Sequence, residues 1–161
     1  DESKIVEEAD RALNLLREEG SAVAFPVALE LTRDDMIEVA KRLMDSDVKE
    51  LTQGLEEDII AALEEMLAAL EKAKKESEER KNQPQPPNSM QQDPSLVDII
   101  AELKLIRSLQ VRVNGRTDRY SKLIEGEQAE KPELIEALDD LSKKEEQIHN
   151  ITRDLEEGLQ K

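Results

Sequence analysis

From Val48 to Ala73 the residues Val48, Leu51, Leu55, Ile59, Ala62, Met66, Leu70 and Ala73 follow one another at steps of 3, 4, 4, 3, 4, 4 and 3. A half-buried strand would need steps of two, so this spacing dictates an amphipathic helix, expected from Asp47 to about Arg80. Carried back through Met44 and Ala40, the pattern approaches an eleven-residue repeat, which favours a nearly straight rod about 50 Å long. A rod with such a stripe needs partner helices along its whole length.

The means of covering it are aliphatic. The chain of 161 residues has one Phe, one Tyr and no Trp, and 39% of it is charged. Leu, Ile, Val, Met and Ala must therefore fill the core, a balance that suits long helices and argues against sheets. Ile5, Val6, Ala9, Leu13 and Leu16 define a first helix from Glu2 to Glu19, with Gly20 as its left-handed terminator and Ser21 to Phe25 as a short apolar connection. Pro26 opens a second helix to Met44, with Val27, Leu31, Ile37, Ala40 and Met44 along one side. Asp45-Ser46-Asp47 then breaks the chain, and Asp47 with Glu50 has capping-box spacing; an uninterrupted rod is the alternative.

Asn82 to Pro94, reading NQPQPPNSMQQDP, holds four prolines and one apolar side chain, Met90. It is expected to be an exposed tether, partly polyproline II. Beyond it, Ser95 and Asp98 have capping-box spacing, and Leu96, Ile99, Leu103, Ile106, Val113, Tyr120 and Ile124 keep heptad-like steps, with Gln110 and Thr117 as polar interruptions. Val111 to Thr117 also reads as a hairpin around Asn114-Gly115. The heptad phase runs through that pair, and one glycine costs a helix only about 1 kcal/mol, which favours helix. Gly126 is expected to close this helix. Pro132 starts the last one, with Leu134, Leu138, Leu141, Ile148, Leu155 and Leu159 on its seam and Glu145 and Thr152 as polar exceptions. The expected fold is all-α: an elongated, antiparallel, coiled-coil-like helical bundle of three to four long helices plus a short N-terminal helix. It forms one helical domain over 1–161, in which the half 95–161 packs back across the tether 82–94 onto the half 1–81.

Charge and chemistry exclude more than they assign. The formal net charge of −16 disfavours nonspecific approach to nucleic acid or to an anionic membrane. No run approaches the roughly 18 apolar residues of a membrane span, so this segment is not expected to insert into a bilayer. The start at Asp1 without methionine is expected of a mature form or an excised domain. With no cysteine there are no disulfides and no thiol nucleophiles. Glu146 and His149 fit a Glu-x-x-His metal motif, but di-iron bundles need it twice and His149 is the only histidine, so no metal and no cofactor is expected. Without a nucleophile elbow, a glycine-rich phosphate loop or an apolar-flanked carboxylate pair, no catalytic residue is assigned and the protein is read as not an enzyme.

One local departure stands out. Lys104, Arg107, Arg112, Arg116, Arg119 and Lys122 face a single acid, Asp118, so this acidic chain has one basic helix. The favoured reading pairs these cations with glutamates of the third and fifth helices, fixing register. The competing reading makes 104–122 a docking strip for an anionic partner. Only Tyr120 could stack on a base, which argues against nucleic acid.

The phrases EEGSAVAFP at Glu18 to Pro26, LTQGLEEDIIAALEEMLAAL at Leu51 to Leu70 and LIRSLQVRVNGRTDRY at Leu105 to Tyr120 resemble a family of uncharacterised bacterial proteins with a Gln/Pro-rich tether. That resemblance implies a helical region behind an export signal, hence the periplasm or cell envelope, and implies no activity or site residues. The expected function is a non-enzymatic helical scaffold or interaction module that binds protein partners, or itself, through helix faces. The alternative is a cytoplasmic adaptor whose basic strip engages an acidic partner.

Overall fold

The computed structural model describes residues 2–20, 22–81 and 96–159, and the tether Asn82 to Pro94 and the Ser95 cap lie outside them. Among the described residues the structure is all helical: α1 (Glu2–Glu19), α2 (Ala24–Met44), α3 (Glu50–Lys81), α4 (Leu96–Ser121) and α5 (Pro132–Leu159). The helices pack against one another, and α2 is the element that touches all the others, α1, α3, α4 and α5. Ion pairs give the chain directions. Arg17 reaches Glu30 while Asp10 lies beside Arg33, so α1 and α2 run oppositely. Lys41 with Glu136 and Asp35 with Lys144 make α2 and α5 antiparallel, and Arg112 with Glu65 and Arg116 with Asp58 do the same for α3 and α4.

The core is mostly aliphatic, with Leu13, Ala28, Leu31, Ala62, Leu105, Leu109, Leu134 and Ile148 buried together with Phe25 and Tyr120. Because α2 meets four neighbours, it is buried around much of its circumference. That explains why a single stripe misread it: Ile37 is 43% and Met44 79% exposed, whereas Met36 and Val39 are buried. In α3 the expected seam holds at Leu55, Ala62 and Met66, but Leu70 faces solvent, as does Val48, which lies before the helix starts. On α5 alternate seam positions sit one residue earlier than expected, at Lys144 and Ile151, so that Glu145 and Thr152 are exposed. In α4 the seam takes Glu102, Ile106, Leu109, Val113, Arg116 and Tyr120, and leaves Leu103 47% exposed.

The boundaries follow local chemistry. Gly20 adopts φ 70°, and its N–H donates to Leu16 at 3.2 Å. Phe25 belongs to α2 and not to the connection before it, and Pro26 sits in the first turn, where its missing N–H has no cost. No side chain nearby caps α2; the Glu102 carboxylate of α4 accepts from the N–H groups of Val23, at 2.9 Å, and of Ala24. A carboxylate there satisfies orphan donors and meets the positive end of the helix. The break between α2 and α3 is real. Ser46 takes φ 58°, Ser46 N–H donates to Leu43, and Asp47 N–H donates to Arg42 at 2.8 Å, which is a Schellman motif with serine in the glycine position. Helix α3 then starts at Glu50, so Asp47 and Glu50 do not form the expected box; Asp47 instead offers its backbone carbonyl to the Thr52 hydroxyl at 2.8 Å. Helix α4 runs straight through Asn114-Gly115, which removes the hairpin alternative, and ends at Ser121; Gly126, at φ 119°, lies further along the connection.

Candidate functional site

Charge is buried where α2, α3, α4 and α5 converge. Asp35 occupies a core position of α2, Arg116 a core position of α4 and Lys144 a core position of α5, with side chains only 9%, 5% and 6% exposed. The Arg116 guanidinium forks onto Asp35, Nη1 to Oδ1 at 2.9 Å and Nη2 to Oδ2 at 2.6 Å, and turns its Nε to Asp58 of α3 at 2.6 Å. Arg119 adds a second donor to the same Asp58 oxygen at 2.6 Å. Lys144 bonds Asp35 and reaches Asp140 at 3.1 Å. Three carboxylates thus meet three cations, and four helices are tied by fixed-geometry bonds.

The protonation states follow. Burial alone would push the Asp35 carboxyl up, but Arg116 and Lys144 outweigh it and hold Asp35 below the ordinary carboxylate range. Burial also works against the charge on Arg116, yet Asp35 and Asp58 leave it more firmly protonated than a free guanidinium. Beside this cluster a cleft of ≈180 Å³ opens between α2, α3, α4 and α5, with Ile37, Leu55, Leu141 and Tyr120 among its walls. Burial pushes the Tyr120 phenol up, against the opposing pull of Arg116. Burial likewise raises Asp34 at its edge, with Arg33 opposing. The other charged groups around the cleft are engaged with each other or with neighbours: Glu38 with Arg42, Glu136 with Lys41, Asp140 with Lys144, Lys143 with Asp139. The arrangement locks helices together and holds its charges in pairs.

The six cations of the basic strip divide. Arg112 pairs with Glu65 at 3.1 Å, Arg116 with Asp35 and Asp58, Arg119 with Asp58, and Lys122, just past the end of α4, with Asp118 in its last turn. The interhelical acids are thus aspartates of α2 and α3 and one glutamate of α3. Helix α5 sends a cation, Lys144, and its Glu145 accepts from Gln110 at 2.9 and 3.0 Å. Lys104 and Arg107 are exposed and make no ion pair among the described residues. His149 and Glu146 are both exposed on α5. Among the described residues no group of three or more His, Cys, Asp or Glu side chains is arranged to hold a metal ion, and no helix is long and apolar enough to cross a membrane.

Asp35, Asp58, Lys144 and Glu102 escaped the reading of the sequence. Their signal was present: each is a charged residue at a position that continues its helix's apolar steps, as Lys144 does between Leu141 and Ile148. The chain matches no protein-family model, no curated protein and no solved structure.

Proposed function

We propose that this protein is a non-enzymatic scaffold or interaction module, an elongated antiparallel helical bundle that works through its outer helix faces. The observation that carries this reading is the contrast between an interior whose charges are paired and an exterior with exposed large apolar residues in rows. Ile60, Leu63, Leu67 and Leu70 on α3 are 57%, 37%, 58% and 45% exposed, and Ile100, Leu103 and Val111 on α4 are 42%, 47% and 57% exposed. Such rows on long helices suit recognition of another helix. The sequence resemblance supports placing the module in the cell envelope. The second reading, an adaptor that binds an acidic partner, is favoured by Lys104 and Arg107 alone.

A photo-crosslinking residue at position 63 or 67, in cells that produce the protein, should give discrete crosslinked species, and the same residue at the exposed Glu157 should not. Absence of any species specific to positions 63 and 67 overturns the reading. Cell fractionation of the same strain distinguishes envelope from cytoplasm.

A further inference from the structure

The exposed rows on α3 and α4 have opposite charge. On α3, Ile60, Leu63, Leu67 and Leu70 keep steps of 3, 4 and 3, and the exposed Glu57, Glu64 and Glu71 run beside them at intervals of seven. These three glutamates make no ion pair among the described residues. At about 100° per residue the row lies on the side of α3 away from Asp58 and Glu65, the residues that reach α4. On α4, Ile100, Leu103 and Val111 surround the exposed Lys104 and Arg107, opposite the buried Leu105, Leu109 and Val113. Each row extends about 15 Å. Within one copy the rows face different directions, so neither can cover the other.

We propose that the α3 face of one copy docks on the α4 face of a second copy. The sign of the charges selects this pairing. Packing α3 on α3 brings the glutamate rows together, and α4 on α4 brings Lys104 and Arg107 together, whereas α3 on α4 sets Glu57, Glu64 and Glu71 against those cations while the two apolar rows cover each other. The interface is heterologous, so each added copy leaves one acidic and one basic face free. Two rows of this length bury less than the roughly 1,200 Å² of a stable interface, so the association is weak and concentration-dependent. The inference rests on the helix-face reading above and names the acidic partner of the basic strip as a second copy of the chain.

Analytical ultracentrifugation of the whole chain and of two variants tests it. Both changes, Leu67→Glu on α3 and Arg107→Glu on α4, are at exposed positions, and circular dichroism should be that of the parent. The parent's average mass should climb above that of a monomer towards millimolar concentration. Each variant alone should stay monomeric, and the two mixed should form a one-to-one dimer and nothing larger, since only one good face of each remains. A monomeric parent, a variant that associates alone as the parent does, or a mixture that stays monomeric overturns the proposal. If the parent is monomeric but a synthetic lysine-rich amphipathic helix binds it and fails to bind Leu67→Glu, self-docking is refuted and the interaction-module reading stands. If that peptide fails as well, both are refuted.

Discussion

Asp35 is a carboxylate where α2 would otherwise bury an aliphatic side chain. Two cations in reach make this tolerable, and removing the acid is worse than never having had it, because Arg116 and Lys144 would keep their burial and lose their counter-charge. Asp35→Asn should therefore cost about 3–5 kcal/mol at pH 7, read by denaturant unfolding. The pH dependence has a definite direction. The folded protein holds the Asp35 proton less tightly than the unfolded chain. Its stabilisation is thus complete above the ordinary carboxyl value of about 4 and disappears as pH falls beneath it. The gap between parent and Asp35→Asn should close in that acid range, and a gap that stays constant down to pH 2.5 contradicts the role given to the pair. Arg116 was visible in the sequence as one of six cations on a basic helix, but its partners were not. With 39 acids in the chain, the pairing depends on which few are buried. Lys144 was hidden by its neighbour, since counting heptads from Leu141 lands as readily on Glu145.

At the scale of the helices, local rules succeeded where one face decides and failed where several do. The breaks at Gly20 and at Asp45 to Asp47 were legible from turn chemistry, and so was the continuity of α4. The buried face of α2 was not, because a helix with four neighbours has no single stripe. A carboxylate 78 positions away, Glu102, caps α2 at Ala24, and no local pattern announces that. Two substitutions test the local rules. Gly115 lies inside α4 with nothing within 4 Å of where a β-carbon would stand, so Gly115→Ala should stabilise the protein by several tenths to about 1 kcal/mol. A lower melting temperature for that variant would contradict a continuous α4. Ser46 holds a left-handed conformation that costs an L-residue about 1–2 kcal/mol, more than the extra entropy a glycine loses on folding. Ser46→Gly should raise the melting temperature, and a fall would mean that the serine hydroxyl contributes more than the strain removes.

For the molecule as a whole, α2 joins the two halves, touching α4 and α5 across the tether as well as α1 and α3. If a protease site is inserted between Ser89 and Met90 and cut, the fragments should co-elute on gel filtration at neutral pH, because the Asp35, Arg116 and Lys144 cluster and the Glu102 cap both cross the cut. Fragments that separate and stay helical would show two independent units. The all-helical class was open to reading because periodicity and composition act everywhere along the chain. The central place of α2 was not, since it depends on contacts between residues far apart in sequence.

That central place has a consequence during synthesis. When residue 81 has left the ribosome, α1 and α3 can already pack on α2, but the surface of α2 that α4 and α5 will cover is bare, and Asp35 has neither of its buried cations. Lys144 follows 63 residues after residue 81, about 3 to 13 s later at 5–20 residues per second. For those seconds the nascent chain shows an apolar, partly acidic flank to the cell, and the connection between Lys81 and Leu96 takes up part of that interval. A chaperone that holds exposed aliphatic surface would meet this protein at that stage and release it once Arg116 and Lys144 have closed on Asp35.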